Sequence, residues 1–273
     1  MPTFEAPGGA QLYFEDAGEG LPVLALAGLT RSGRDFDYVA PHLQDCRMIR
    51  LDYRGRGKSE WTGAETYTIP NEAADAIALL DHLGLDKVAI LGTSRGGLIA
   101  MALAAMAKKR LSGVFLNDIG PELSPTGLDA IVDYIGKNPV EKTFEDAAMV
   151  RSASFPMVRN LPHGRWLEDM QRFYRQTKDG LEINYDPALR DAVLAANSGP
   201  IPDLWPLFKA LDGLPLALVR GEHSDLLSQE TALKMAKHRP DMIFALVPDR
   251  AHVPYLDEPE SLVVLKAWLE SMT

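Results

Sequence analysis

Short apolar segments alternate with helix-length amphipathic segments along most of this chain. Patterns of buried strands lie at 23–27, 48–53, 87–91, 111–118, 214–219 and 242–247, and the opening residues 4–17 resemble an antiparallel hairpin. This alternation is typical of a mostly parallel sheet covered by helices. The chain has 273 residues, 46% of them hydrophobic, enough for one large domain or for a core domain with an insertion. We therefore predict an α/β fold whose mostly parallel central sheet is flanked by helices.

The alternation stops between residues 121 and 206. Helical patterns continue through this segment, including one face from Trp166 to Thr177, but no pattern of a buried strand is convincing. We predict a helical insertion of residues 121–206 in an α/β core formed by residues 1–120 and 207–273.

The formal net charge of −10 argues against two classes of partner. An acidic surface repels phosphate backbones and anionic lipid, so we expect neither nucleic acid nor a membrane as a partner. The amino terminus lacks the features of a secretion signal, and the longest stretch of low polarity, 96–107, is shorter than the roughly 18 residues of a membrane span. With Cys46 as the single cysteine, no intramolecular disulfide can form. We expect a cytoplasmic protein, and the sequence leaves its oligomeric state open.

The segment Gly92-Thr93-Ser94-Arg95-Gly96 matches the pattern G-x-S-x-G between an apolar strand and a helix. A sharp turn at this place holds the serine above the sheet at the N-terminus of the helix, where developing negative charge is favoured. The glycines allow neighbouring backbone to approach closely. We predict that Ser94 is a nucleophile.

A serine hydroxyl needs a base to remove its proton. Of the six histidines, His252 alone follows the final strand pattern. Functional sites of open α/β sheets form at the carboxyl ends of the strands, so this loop brings His252 to the edge that carries Ser94. We predict that His252 is the general base.

The histidine in turn needs an acid that fixes its tautomer and stabilises its imidazolium form. Asp225 follows the next-to-last strand pattern, which gives the chain order serine, aspartate, histidine of one known type of catalytic triad. We prefer Asp225 for this position. Two alternatives remain: Asp118, at the end of the strand before the insertion, and Glu222, which is nearer the strand than Asp225.

Backbone N–H groups must also face the oxyanion of the reaction. We predict one donor in the amide of Arg95, directly after the nucleophile. The second donor is predicted in the loop after the strand pattern at 23–27, as the amide of Leu29, with Gly28 allowing a close turn beneath the substrate.

These segments together resemble the α/β-hydrolase superfamily, particularly its esterases and lactonases with a helical cap. The resemblance covers nearly the whole chain and rests on 92–96, 221–225, His252 and 52–59, which is similar to the D-x-R-G-x-G-x-S loop of that family. It implies that residues 121–206 cover the active site.

The chain departs from many of these relatives at two positions. The oxyanion loop begins Ala27-Gly28 instead of His-Gly, so a side chain that often supports this loop is missing. Arg95 replaces the usual apolar residue. We hypothesise that Arg95, with Arg31 or Arg34, positions polar or carboxylate-bearing substrates; the alternative is an ion pair with a nearby acid.

The resemblance implies hydrolysis of a carboxylic ester or lactone of a small molecule through an acyl-enzyme on Ser94. Relatives that cleave haloalkanes or epoxides use aspartate at this position, which argues against those reactions here. We expect no metal and no organic cofactor, since the chain contains no HExxH, paired CxxC or phosphate-binding loop. Three alternatives are C–C bond hydrolysis, cofactor-free perhydrolysis and a ligand-sensing receptor with slow turnover.

Overall fold

A computed structural model describes residues 2–199 and 202–272. Ten strands lie within this part of the chain: β1 (Thr3–Glu5), β2 (Gln11–Ala17), β3 (Leu21–Leu26), β4 (Cys46–Leu51), β5 (Val88–Thr93), β6 (Leu111–Asn117), β7 (Tyr174–Thr177), β8 (Gly180–Ile183), β9 (Leu216–Gly221) and β10 (Ile243–Val247). All except β7 and β8 belong to one sheet, in the order β1-β2-β4-β3-β5-β6-β9-β10.

The direction of the strands divides this sheet into two parts. In the sheet order β4-β3-β5-β6-β9-β10 every strand is parallel to its neighbours. By contrast, β1 pairs antiparallel with β2, and β2 pairs antiparallel with β4. Parallel neighbours end at the same edge, so the loops after β3, β5, β6, β9 and β10 meet there. The predicted fold class, an α/β fold with a mostly parallel central sheet, is confirmed.

Nine α-helices lie in the described residues: α1 (Ile69–His82), α2 (Arg95–Ala107), α3 (Pro125–Tyr134), α4 (Phe144–Ser154), α5 (His163–Phe173), α6 (Leu189–Ala196), α7 (Trp205–Lys209), α8 (Gln229–His238) and α9 (Pro259–Glu270). Helices α1, α2, α7 and α8 contribute to the apolar cluster on one face of the sheet, and α9 to the cluster on the other. Buried strands such as Val88–Thr93 are apolar on both faces because helices cover both.

Helices α3 to α6 and the hairpin of β7 and β8 form the segment predicted as a cap. This segment adds no strand to the main sheet and contains an apolar cluster of its own around Trp166 and Met170. Helix α7 spans the predicted boundary at 206/207, and its Phe208 packs into the cluster beneath the main sheet. The division into core and cap domains stays a prediction.

The predicted helical face from Trp166 to Thr177 is wrong in its last turn. Helix α5 ends at Phe173, and β7 begins at Tyr174. The reason is local: Lys178-Asp179 makes a tight hairpin turn, and Gly180 follows it at a φ of 132° as the first residue of β8. Leu181 and Ile183 then alternate as buried residues with the partly exposed Glu182. The alternation of buried and partly exposed residues in β8 is therefore a strand pattern, but the helical spacing of the preceding residues continues into β7 and favours a helix there.

Among the residues that the structure describes, no helix is both long enough and apolar enough to cross a bilayer.

The packing of α9 on the sheet predicts that one of its side chains contributes strongly to the free energy of unfolding. Trp268 is fully buried, lies edge-on to Phe115 with ring centroids 5.5 Å apart, and donates its indole N–H to the Pro215 carbonyl at 3.3 Å. We expect Trp268→Ala to lower the free energy of unfolding by about 3–5 kcal/mol, because the truncation leaves a cavity. Val263→Ala in the same helix, at a side chain that is 69% exposed, should change it by less than about 0.5 kcal/mol. Urea unfolding measures both, and equal losses would contradict this account of the core.

Candidate active site

Ser94 occupies a strained turn between β5 and α2. Its φ is +50°, a conformation that residues with a side chain rarely adopt, and α2 begins at the next residue. The amide of Ser94 donates to the Asn117 carbonyl at 3.0 Å, which ties the turn to the end of β6. The serine therefore lies at the carboxyl edge of the sheet and at a helix N-terminus, as the G-x-S-x-G pattern predicted.

Gly96 makes this turn possible by letting α2 approach β3. A Cβ at Gly96 would lie 1.9 Å from the Leu26 carbonyl oxygen, so no larger residue fits there without a backbone shift. The loop after β3 also passes close to the serine, since a Cβ built on Gly28 would lie 3.9 Å from the Cβ of Ser94. The close packing of these backbones places the Ala27–Thr30 loop beside the serine hydroxyl.

A continuous set of hydrogen bonds connects three side chains from three loops. His252 Nε2 lies 2.9 Å from Ser94 Oγ, and His252 Nδ1 lies 2.7 Å from Asp118 Oδ2. Asp118 is fully buried, and its other carboxylate oxygen accepts the Gly221 amide at 3.0 Å. The arrangement has the geometry that proton transfer from a serine requires: nucleophile, base and an acid that orients the base.

The sequence-based preference for Asp225 as the partner of His252 is wrong in this structure, and the alternative Asp118 lies there instead. Asp225 is exposed and makes no hydrogen bond within the described chain. The reason is the loop after β9: the buried Arg220 donates to the carbonyls of Leu227 at 2.7 Å and Ser224 at 3.3 Å. This holds the loop in a compact turn and leaves Asp225 at the rim. Glu222, the other alternative, accepts the amide of Asp249 at 3.1 Å.

The two predicted oxyanion donors lie in suitable backbone positions. Arg95 is the first residue of α2, where an N–H has no carbonyl partner within the helix. The amide of Leu29 donates to no group within the described residues, although its loop is ordered by the hydrogen bond from the Arg31 amide to the Gly28 carbonyl at 3.1 Å. Both amides are therefore free to bind a substrate oxygen.

Two side chains of the 52–59 loop support the Ala27–Thr30 loop, where many relatives have a histidine. Tyr53 donates its hydroxyl to the Ala27 carbonyl at 3.1 Å, and Arg56 Nε donates to the Leu29 carbonyl at 2.9 Å. Both side chains are fully buried. Burial raises the pKa of Tyr53 well above its usual value, so this hydroxyl stays protonated and remains a donor. Sequence reasoning did not identify this function of Tyr53 and Arg56.

The side chain of Arg95 forms an ion pair and does not line the cavity beside Ser94. Its Nε donates to Glu72 Oε2 at 2.6 Å, and its Nη2 donates to the Tyr67 carbonyl at 2.9 Å. Glu72 is fully buried, and its second oxygen lies 2.8 Å from Arg56 Nη1. The ion pair was the alternative to the substrate hypothesis for Arg95. One carboxylate thus connects the residue after the nucleophile with the arginine that holds the Leu29 loop.

The cavity beside Ser94 has a volume of about 400 Å³. Core loops provide Leu29, Ser94 and His252, and the segment predicted as a cap provides aromatic side chains such as Phe155 and Phe173. Arg31 and Arg34 are the other arginines proposed to position a charged substrate. Arg31 lines this cavity but forms a bidentate pair with Asp35. Arg34 lies outside the cavity lining, 3.9 Å from Asp37.

One surface cluster has donors of the type that bind cations. Ligand atoms of Glu222, His223 and Asp249 lie within 4.8 Å of one another. Hydrogen bonds already use part of this cluster, because Glu222 accepts the Asp249 amide and Asp249 accepts Asn160 Nδ2, each at 3.1 Å. The cluster is accounted for by contacts within the protein.

Comparison with known proteins now identifies the family. Residues 22–259 match the family described as alpha/beta hydrolase fold. The chain belongs to the alpha/beta hydrolase family. The resemblance inferred from the sequence motifs is therefore confirmed.

Two relatives that are similar over most of the chain are named as hydrolases. A 3-hydroxybutyrate-oligomer hydrolase of Cupriavidus necator is 38% identical over 248 residues, which cover 87% of this chain and 84% of that protein. A 2-(acetamidomethylene)succinate hydrolase of Mesorhizobium japonicum is 28% identical over 259 residues, which cover 94% of this chain and 89% of that protein. Among solved structures, an alpha/beta hydrolase from Novosphingobium aromaticivorans superposes with a TM-score of 0.90 at 36% identity, covering 98% of this chain and 97% of that one.

The buried Glu72 should be important for stability as well as for the position of the loops. In Glu72→Gln, Arg56 stays buried without its neutralising charge, so we expect a loss of about 3–5 kcal/mol in the free energy of unfolding. Asp81→Asn removes the partner of Arg110 at a side chain that is 63% exposed, and should cost less than about 1 kcal/mol. Urea unfolding of both variants tests this, and a Glu72→Gln protein as stable as the wild type would show that the buried pair contributes nothing.

Proposed function

We propose that this protein is a serine hydrolase that cleaves a carboxylic ester or lactone of a small molecule. The observation that carries the proposal is the relay from Ser94 Oγ through both ring nitrogens of His252 to the buried carboxylate of Asp118. In this proposal Ser94 is the nucleophile, His252 is the general base and acid, and Asp118 is the supporting acid.

The reaction would proceed in two steps. His252 Nε2 removes the proton of Ser94 as its Oγ attacks the ester carbonyl, and the resulting imidazolium is stabilised by Asp118. The same nitrogen then gives the proton to the leaving alcohol, which leaves an acyl group on Ser94. Water, activated by His252, releases the acid. The amides of Leu29 and Arg95 would donate to the oxyanion in both steps.

One of these relatives supports an ester as the bond that is cleaved. The name of the 38% identical relative specifies oligomers of 3-hydroxybutyrate, which are joined by ester bonds between a hydroxyl and a carboxyl group. The cavity of about 400 Å³ is of the size that holds small organic ligands. We therefore propose a short ester of a hydroxy acid as the substrate type.

Removal of the nucleophile is the first test. We expect Ser94→Ala to lower kcat for p-nitrophenyl acetate and butyrate by several orders of magnitude, because members of a triad act as a unit. A fluorophosphonate probe should label the wild type and fail to label Ser94→Ala. Mutant activity equal to that of the wild type would exclude the acyl-enzyme. Labelling without ester hydrolysis would indicate different chemistry at the same serine.

A matched pair of aspartate variants tests which acid acts with His252. Asp118→Asn keeps the shape of the side chain but favours the wrong tautomer of the histidine, so we expect kcat to fall about 10⁴-fold, as in other triads. Asp225→Asn should change kcat by less than about threefold, because Asp225 lies at the exposed rim without a hydrogen bond to His252. The reverse order of effects would restore Asp225 as the supporting acid. Steady-state hydrolysis of p-nitrophenyl butyrate measures both.

A further inference from the structure

The cavity beside Ser94 is more basic than the protein around it. The chain has a net charge of −10, yet the described residues that line this cavity include five basic and three acidic side chains. Two of the three acids already have partners: Asp35 pairs with Arg31, and Asp169 accepts the Tyr255 hydroxyl at 2.6 Å. The third acid, Asp225, lies at the exposed rim. This charge distribution favours an anionic ligand.

Four of the five basic side chains interact with groups of the protein, although Nη1 of Arg31 and Nε of Arg172 are buried without a hydrogen-bond partner among the described residues. Arg31 pairs with Asp35, and Arg250 donates to Glu258 at 2.9 Å. Arg172 donates to the Tyr38 hydroxyl at 2.5 Å and lies 3.6 Å from Asp37. The exposed Lys137 donates to the Asp133 carbonyl at 2.7 Å. The fifth is Arg151, in α4.

The guanidinium of Arg151 lies against two aromatic rings. Its guanidinium lies 4.4 Å from the ring centroid of Phe155 and 5.5 Å from that of Phe173. Within residues 2–199 and 202–272 it has neither a carboxylate partner nor a hydrogen-bond acceptor. A guanidinium that stacks on a ring keeps its N–H donors in its own plane, so these donors stay available to a planar anion such as a carboxylate.

The charge of Arg151 also acts on the tyrosines of this cavity. Burial raises the pKa of Tyr174, and Arg151 is the strongest influence that opposes this rise. Burial and Asp169 raise the pKa of Tyr255, and Arg31 and, more weakly, Arg151 act in the opposite direction. The Arg151 guanidinium therefore lies close enough to Tyr174 and Tyr255 to act on their hydroxyl groups electrostatically.

We propose that Arg151 binds a free carboxylate of the substrate, so that the preferred substrates are esters that also have an unesterified carboxylate. This inference rests on the proposed function and narrows its substrate class. Short hydroxy-acid oligomers fit, because each chain has one free carboxylate in addition to its ester bonds. The carboxylate would form hydrogen bonds with the edge of the Arg151 guanidinium while the ester carbonyl lies against Ser94.

Two substrates that differ only at this carboxyl group test the proposal. One is the dimer of 3-hydroxybutyrate with its free carboxylate, and the other is the same dimer with that carboxyl converted to an N-methylamide, which is neutral and has the same single ester bond. For Arg151→Met we expect kcat/KM for the acid to fall roughly 10- to 100-fold, mainly through KM, because a charge-assisted hydrogen bond is lost. For the amide, kcat/KM should change by less than about threefold.

Two further variants separate this function from a purely structural one. Arg151→Lys keeps the charge and should retain part of the preference for the acid. Arg159→Met removes an exposed cation from the same segment, outside the cavity lining, and should leave both substrates unaffected. Hydrolysis of the ester bond in the N-methylamide dimer serves as the internal control for folding. The proposal would be overturned if Arg151→Met lowered kcat/KM equally for the acid dimer and the N-methylamide dimer. It would also be overturned if Arg159→Met lowered kcat/KM for the acid dimer as much as Arg151→Met does.

A binding measurement distinguishes failure of this inference from failure of the proposed function. If the wild type cleaves neither dimer, the proposed substrate type fails. The carboxylate site is then decided by calorimetric titration of the acid dimer into Ser94→Ala and into Ser94→Ala/Arg151→Met. Binding at least tenfold weaker in the double variant supports the site, and equal affinity, or no binding to either protein, overturns it.

Discussion

The buried carboxylate of Asp118 determines how the loops at the carboxyl edge of the sheet are arranged. A carboxylate that is removed from water has to be hydrogen-bonded on both oxygens, or its burial becomes very unfavourable. Asp118 meets this requirement with the Gly221 amide and the His252 ring. The ends of β6 and β9 and the loop after β10 are thereby joined at one point. The histidine is held where its second nitrogen reaches Ser94, which the end of β5 supplies.

Close backbone contacts make this arrangement rigid. Gly96 lets α2 pack against the Leu26 carbonyl, and a Cβ at Gly221 would lie 2.4 Å from the Ala251 carbonyl oxygen, so the histidine loop rests directly on the end of β9. The Leu29 loop is fixed by buried polar side chains, Tyr53 and Arg56. These contacts hold the backbone amides in place before a substrate arrives, which is the condition under which hydrogen-bond donors stabilise an oxyanion most effectively.

The segment between β6 and α7 contributes to the cavity in a different way. Its α5 is attached to the core by polar contacts, including Arg165 with Asp257 at 2.7 Å and Arg172 with Tyr38 at 2.5 Å. Its α4 brings Arg151 to the cavity wall, and Phe155, directly after this helix, lies there too. The groups proposed for bond cleavage therefore come from the sheet edge, and the group proposed for substrate selection comes from the inserted segment. This separation allows the substrate to vary while the reaction is kept.

The sequence by itself determined the order along the chain of the strands in the main sheet, the turn at Ser94 and the loop that carries His252, but not the hairpin of β7 and β8. Each of these follows from local patterns: apolar runs, glycine spacing and the position after a strand. Only the tertiary structure decided between Asp118 and Asp225, since both follow strands that end at the same edge, and the side chain of Arg220 draws the second one away. The same holds for Arg95 and Arg151. Their ionic partners, or the absence of one, depend on residues far away in the chain, because Glu72 reaches Arg95 while no described carboxylate reaches Arg151.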